Sequence, residues 1–365
     1  MDALKSKEEE LARFEIKNVK GLNANEIKGT GCYGEVLRIT VDGVPRIGKR
    51  ILNILLDEGI VPKEKKGIRE RFCDECLLLS KLDHPNVVEF VGVHFDRVNH
   101  GLTLIMECLH TDLDKFTKCP KVPLSVKLSI LLEVSAGLLY LHTQLKEPLI
   151  HRDLTATNVL LTQDIRAKIA DLGVSKLLDK HLSSTGAQTQ CPGAMAYMPP
   201  EALQEVPVYG TELDIFSFGQ LALYVIIQEL PQVFDVTNSP EAPLACQAGE
   251  LQILKRRKWI NKLSHDHCLR SVILQCLQDR PDQRPKTKQL NVVMKTLCVK
   301  HPKSLADIHS SWGNQDEVCA YYCRHDRICH GHALGYVCLH HTSSITIATF
   351  DIGILVVPRV LPKIV

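Results

Sequence analysis

Between Glu26 and Ile51 apolar and polar positions alternate as they do on half-buried strands. Two turn signals punctuate this stretch. One is a Gly-rich run, Gly29 to Gly34. The other is Asp42-Gly43, set between Leu37–Val41 and Val44–Ile51, a pattern that predicts a two-residue hairpin. Residues 64–82 read as a helix, and Val87–Val93 and Leu102–Glu107 as two further strands. Beyond Lys121 the period changes. Leu128, Leu131, Leu132, Leu138 and Leu139 recur at helical spacing, as on a buried amphipathic helix. Residues 147–175 return to short strands and loops, and helical patterning resumes at Asp214 and runs to about Leu297. A strand-rich part joined to a helix-rich part predicts an α+β fold of two lobes with a cleft between them.

The pattern divides the chain into a charged extension (1–24, helical or disordered), a main domain (25–297) and a tail (298–365). The tail is rich in His and Cys, then turns β-prone and apolar, and is expected to be disordered or loosely folded. Hydrophobic residues make up 45% of the 365, enough to bury a sizeable core. Net charge is +2, which points to neither a nucleic-acid nor an anionic-membrane partner. The apolar stretch Ile345–Val357 is too short to span a bilayer and contains Asp351, so no transmembrane helix is expected. The opening, Met1 to Glu10, is polar and carries no export signal, so the 14 cysteines are expected to be reduced thiols of a cytoplasmic protein.

The chemistry begins at Gly29-Thr30-Gly31-Cys32-Tyr33-Gly34-Glu35-Val36, a G-x-G-x-x-G-x-V string. Glycines let a backbone approach phosphate oxygens and turn N–H groups toward them. By itself the string is weak evidence, because dinucleotide-binding folds carry it before a helix. Here strands flank it on both sides.

Later motifs narrow the reading. His151-Arg152-Asp153-Leu154-Thr155-Ala156-Thr157-Asn158 resembles the catalytic loop of the eukaryotic protein kinases. Asp171-Leu172-Gly173 resembles their metal-binding motif, with Leu for the usual Phe. Pro199-Pro200-Glu201 resembles the end of their activation segment, and Asp214 to Gly219 their central helix. Arg284 matches the late Arg that pairs with the Glu at position 201. The motifs stand in the family's order over roughly three quarters of the chain. The resemblance implies the two-lobed protein kinase fold, ATP as phosphoryl donor, Mg²⁺ as metal and protein hydroxyls as acceptors. It implies that Asp153 accepts the incoming hydroxyl's proton, with Arg152 beside it, and that Asn158 and Asp171 hold the metal. Lys49 would bind the α- and β-phosphates with Glu75 as its ion-pair partner. Its strand departs from the family pattern, with Ile47 for the usual Ala and Gly48 next. Arg50 is adjacent, so a shift of one residue would turn Lys49 out of the cleft. Gly29, Gly31 and Gly34 would cover the phosphates. Val36 and Leu160 would enclose the adenine, and Met106, Glu107 and Leu109 would form the hinge. Leu79, Phe90, His151 and Leu172 fall where the family stacks a spine that couples the lobes.

The resemblance is closest in texture to the tyrosine-kinase-like and Ser/Thr groups, and Ser/Thr phosphorylation is expected. Thr155 stands where Ser/Thr members usually carry Lys, and Ala194 where they usually carry Thr. Tyrosine or dual specificity, or a catalytically weak scaffold, are the alternatives. Arg152 before Asp153 implies activation by an upstream kinase acting on Ser183, Ser184, Thr185 or Thr189. The tail's Cys319, Cys323, Cys329, His330, His332, Cys338, His340 and His341 lack a C-x-x-C pair, so they read as a partner-binding or disordered segment rather than a zinc site. Lys255–Lys258 reads as a solvated run and Cys32 as an inert thiol.

Overall fold

The computed structural model describes residues 3–22, 27–31, 34–51, 62–97, 101–119, 122–172, 176–177, 196–203, 210–229 and 259–311. Its first half is built on an antiparallel sheet. The strands are β1 (Val19–Lys20), β2 (Ile27–Gly31), β3 (Gly34–Val41), β4 (Val44–Arg50), β5 (Phe90–Asp96) and β6 (Gly101–Glu107). They run in the order β1-β3-β4-β6-β5, with β2 also on β3. The expected hairpin joins β3 to β4. Asp42 (φ 49°) and Gly43 (φ 82°) both take the left-handed conformation that a two-residue turn of this hand requires.

Alternation along β3 separates two faces. Leu37, Ile39 and Val41 join Ile105 in a buried cluster, against which Ile16, Val19, Leu22 and Val91 pack. Residues paired across a ladder share a face. Val36, Lys49 and Leu104 are therefore together on the other side, with Arg38, Ile47 and Met106 next to them. The extension is thus part of this lobe. It supplies Ile16, Val19 and Leu22 to the cluster, and it begins with helix α1 (Ala3–Leu11).

Helix α2 (Pro62–Leu79) starts just before the expected span, 64–82, and ends three residues short of it. The next strand differs from expectation: β5 starts at Phe90, not Val87. Val87 and Val88 are buried, but they meet the second lobe. The Val88 N–H donates to the Ile169 carbonyl (2.9 Å) and the Ile169 N–H to that of Asn86 (2.9 Å). His84 stacks on Tyr140 at 4.8 Å. The α2–β5 connection is therefore fastened to the helical lobe.

That lobe contains β7 (Thr111–Asp112), α3 (Leu113–Thr117), α4 (Leu124–Thr143), β8 (Leu149–Ile150), β9 (Val159–Leu161), β10 (Ala167–Ile169), β11 (Lys176–Leu177), α5 (Glu212–Ile227), α6 (Arg270–Cys276) and α7 (Thr287–Lys300). Sheets β10-β9-β7 and β11-β8 lie beside the loops that carry the site. Among the described residues α4 is the one helix long and apolar enough to cross a membrane. Here Val126, Leu128, Ile130, Leu131, Val134, Leu138 and Leu141 are all buried, as in a core helix. Helix α5 is buried from Leu213 to Val225.

Helix α7 runs past the boundary expected at 297. Within the tail, Leu305–Ser311 form a short helix, α8. Its start is capped by Ser304 and Asp307, each accepting from the other's backbone N–H (3.1 and 2.9 Å). The Cys/His cluster from Cys319 to His341, Cys32, the 255–258 run, Ala194 and the four candidate phosphosites lie outside the described residues.

Candidate active site

Strand β4 delivers Lys49 and helix α2 delivers Glu75. The ammonium lies 2.7 Å from Glu75 Oε1 and 2.9 Å from Asp171 Oδ1. Lys49 and Glu75 are both buried. Burial alone would lower the lysine pKa, but the Glu75 and Asp171 carboxylates outweigh it and raise it, so the cation persists across the neutral range. Burial also pushes the Glu75 carboxyl up, against the pull of Lys49. The register concern at Arg50 has a structural answer. Arg50 points to the opposite face, where its Nε lies 2.7 Å from Glu35 and an NH1 donates to the Leu22 carbonyl (2.7 Å). Gly48, the odd residue before Lys49, is a close-approach position. A Cβ there would sit 3.0 Å from Thr103 Cγ2 and 3.2 Å from Ile39 Cδ1.

The loop between β8 and β9 carries His151, Arg152, Asp153 and Asn158. It is held from below by Asp214 at the start of α5, fully buried. The Asp214 carboxylate accepts the His151 N–H (2.8 Å) and the Arg152 N–H (2.9 Å). It also lies 2.8 Å from His142 Nε2, whose Nδ1 meets Thr287 Oγ1 at 2.6 Å. Burial opposes the Asp214 charge, but the His142 contact leads a set of partners that hold its pKa below the usual value. To aim both N–H groups at one carboxylate the backbone takes φ 71° at Arg152. Asp171 is also left-handed, at φ 59°. Two such residues in one site are held there by the surrounding bonds.

Asp153 is aimed by Asn158, whose Nδ2 donates to the Asp153 carbonyl (2.8 Å) and to its Oδ2 (3.0 Å). The Asp153 pKa is raised, first by burial and further by the Asp171 charge, against the pull of His151 and Asn158. Asp171, whose charge acts on Asp153, also lies 2.9 Å from Lys49 Nζ, so Asp153 with its partner Asn158 belongs to one site with Asp171, Lys49 and Glu75. His151 is fully buried and lies 2.9 Å from the Ala170 carbonyl through Nε2. It joins Leu79 and Leu172 among the buried residues, while Phe90 is half-buried.

The other expected residues occupy the walls. Gly29 and Gly31 lie in β2 and Gly34 opens β3, with Gly29 opposite Val36 and Gly31 opposite Gly34. Val36 faces Lys49 across the ladder, and Leu160 lies on β9 opposite Lys168. Met106 and Glu107 end β6, and Leu109 follows, all half-buried. Sequence reasoning missed what holds the hinge. Glu107 Oε1 accepts from Lys168 Nζ (2.6 Å) and from the Glu89 N–H (2.7 Å). Nothing in the local pattern marks that pair. His142 was also missed, and the regular helix around it hides it. Arg284 meets Glu201 with both terminal nitrogens, at 2.5 and 2.8 Å, as expected.

The donor set suits a divalent cation that takes oxygen ligands. Asn158 commits its amide nitrogen to Asp153, so its amide oxygen is the atom that could serve as a ligand, and Asp171 offers a carboxylate. Both are hard oxygens of the kind this cation takes. One buried cation, a carboxylate aimed by an amide, and a carboxylate–amide oxygen pair together make a site for a polyphosphate and its metal.

Comparison with known proteins agrees with this chemistry. A family model described as protein tyrosine and serine/threonine kinase matches residues 22–294. A Dictyostelium discoideum protein named "Probable serine/threonine-protein kinase" is 30% identical over 276 residues, covering 74% of this chain and 24% of that protein. Cysteine-rich receptor-like protein kinase 14 of Arabidopsis thaliana is 27% identical over 300 residues, covering 77% of this chain and 43% of its own length. An Arabidopsis thaliana G-type lectin S-receptor-like serine/threonine-protein kinase is 29% identical over 280 residues, covering 72% and 31%. The chain thus spans less than half the length of these relatives.

Proposed function

The chain belongs to the protein tyrosine and serine/threonine kinase family, and from that premise we propose that it transfers the γ-phosphoryl group of ATP to Ser/Thr hydroxyls of protein substrates. The observation that carries the reading is the convergence of Lys49, Glu75 and Asp171 at 2.7 and 2.9 Å, beside an Asp153 oriented by Asn158.

In this reading Lys49 neutralises the α- and β-phosphates, and Glu75 keeps it extended into the cleft. Asp153 accepts the proton of the incoming hydroxyl, and its raised pKa makes it a better base than an ordinary Asp. Asn158 and Asp171 are the residues that would hold Mg²⁺, which supplies charge neutralisation at the terminal phosphates when bound. Ser/Thr acceptors are supported by the names of two of the relatives above. Thr155 is buried and its hydroxyl lies 2.9 Å from that of Thr157, so that position offers the acceptor no cation. An upstream kinase acting near Arg152, and the cytoplasm as the setting, where ATP is supplied and thiols stay reduced, belong to the same proposal.

The test is transfer from radiolabelled ATP by the wild type and by Asp153→Asn, followed by acid hydrolysis of the labelled protein. Label confined to the wild type and recovered on phosphoserine or phosphothreonine is expected. Equal labelling by both proteins would overturn the enzyme, and label on phosphotyrosine alone would overturn the acceptor class.

A further inference from the structure

We propose that helix α1 is a clamp on α2 that positions Glu75 for Lys49, so that Lys7 and Glu8 are positioning residues for phosphoryl transfer; this rests on the kinase reading of the site. The family match begins at residue 22, so α1 is supplied by sequence outside it. Two crossed ion pairs join the helices. Lys7 Nζ lies 2.7 Å from Asp74, and Arg69 Nε lies 2.5 Å from Glu8 Oε1. Residue number rises along α1 as it falls along α2, Lys7 meeting Asp74 and Glu8 meeting Arg69, so sliding α1 by one turn would pull both pairs apart. Between them sits Cys73, wholly buried, and Leu11 at the end of α1 is wholly buried too.

Helical geometry links this grip to the cleft. Successive residues are turned by about 100°, so Cys73 and Glu75 point roughly 200° apart. Helix α2 therefore lies between α1 on one side and Lys49 on the other. Any rotation that carries Glu75 off Lys49 must drag Arg69 and Asp74 past Glu8 and Lys7. The clamp is itself anchored beyond α1. Phe14 meets Phe90 edge-on at 5.4 Å, the Ile16 N–H donates to the Val93 carbonyl (2.8 Å), and Arg97 lies 3.0 Å from Glu15. An anchored helix that favours one setting of α2 shifts its population toward the Glu75-in state. Burial pushes the Cys73 thiol up to about 12, with the charges of Glu8, Arg69, Asp74 and Lys7 around it. In the closed clamp Cys73 is thus inert to alkylation, and opening would expose it.

The experiment compares four full-length proteins: wild type, Lys7→Glu with Glu8→Lys, Arg69→Glu with Asp74→Lys, and all four changes together. The readouts are kcat and peptide KM at saturating ATP, and the alkylation rate of Cys73 followed on its own peptide by mass spectrometry. Each double variant is expected to lose about fivefold in kcat with peptide KM unchanged, and to alkylate faster at Cys73. The fourfold variant restores the crossed pairs and is expected to recover both. Unchanged kcat and alkylation in the doubles, or a fourfold variant no better than they are, would overturn the clamp. If the wild type transfers no phosphate, it is the kinase reading that fails, and Cys73 then decides alone: faster alkylation in the doubles upholds the clamp, and equal rates overturn it.

Discussion

Replacing Arg284 by Met should destabilise the protein more than any single surface change. The guanidinium is wholly buried and every one of its donor directions is used. Two nitrogens meet the Glu201 carboxylate (2.5 and 2.8 Å), and the group also donates to the carbonyls of Gln278 (2.8 Å), Glu212 (3.1 Å) and Asp279 (3.2 Å). Its flat face lies 4.9 Å from the Phe216 ring. Methionine fills much of the same volume, so the loss is one of charge and hydrogen bonds rather than of packing. It leaves Glu201 buried without its cation, a change that costs about 3–5 kcal/mol. At roughly 2–4 °C per kcal/mol for a domain of this size, the melting temperature should fall by roughly 6–20 °C. Adding Glu201→Gln removes the stranded charge, so the double variant should melt above Arg284→Met alone, with a coupling of about 2 kcal/mol. Thermal denaturation followed by circular dichroism reads both quantities. A fall under about 2 °C, or strictly additive effects, would refute the view that this pair anchors Glu201 to the helical lobe.

Gly219 faces α6 so closely that an added Cβ would lie 2.7 Å from Cys276 Cβ and 2.9 Å from Leu277 Cδ2. Gly219→Ala should therefore cost about 1–3 kcal/mol in urea unfolding despite the better helix propensity of Ala, and a stabilised variant would contradict the packing. Asp153 has a native pKa raised above its ordinary 3.8, so its charged form is less favourable in the folded than in the unfolded state. Its charge costs stability above the native value, and that cost vanishes as pH falls to the unfolded value. Asp153→Asn should then melt above the wild type at pH 8, though not at pH 3.5, while transfer ends; a variant that melts below the wild type at pH 8 would count against this. For Asp214 the sign reverses. Its lowered pKa contributes stability above the ordinary 3.8, lost as pH falls through the native value. Asp214→Asn should cost about 1.5–3 kcal/mol at pH 7 and progressively less in acid, and an equal penalty at both pH values would argue against a charge-based anchor.

What the sequence made legible was whatever chemistry compresses into a short string. The loop His151–Asn158, the Asp171 motif and the Asp42-Gly43 turn each carry their own constraint within a few residues, and their geometry follows. Arg284 and Glu201 are far apart in the chain, yet each sits in a motif, so their pairing could be anticipated. Lys49 was harder because alternation fixes a face only once the register is known. The structure settles it by giving Arg50 its own buried partner, Glu35, on the opposite side. The start of β5 was misplaced because Val87 and Val88 are apolar for a reason periodicity does not see: they pack on the second lobe rather than joining the ladder. The extension was the least legible part. Helix α1 is mostly charged and has only Leu11 wholly buried, so no apolar stripe announces a docking face. Its partners, Arg69 and Asp74, look like ordinary exposed charges on α2 until the two helices are side by side. Charge pairs between distant segments leave no periodic trace, and each is individually weak in water. They can still matter here because they act on the helix that carries Glu75. Its 2.7 Å contact with Lys49 is made by a single carboxylate oxygen, and a small bias in how that helix is held becomes a bias in whether the site is assembled.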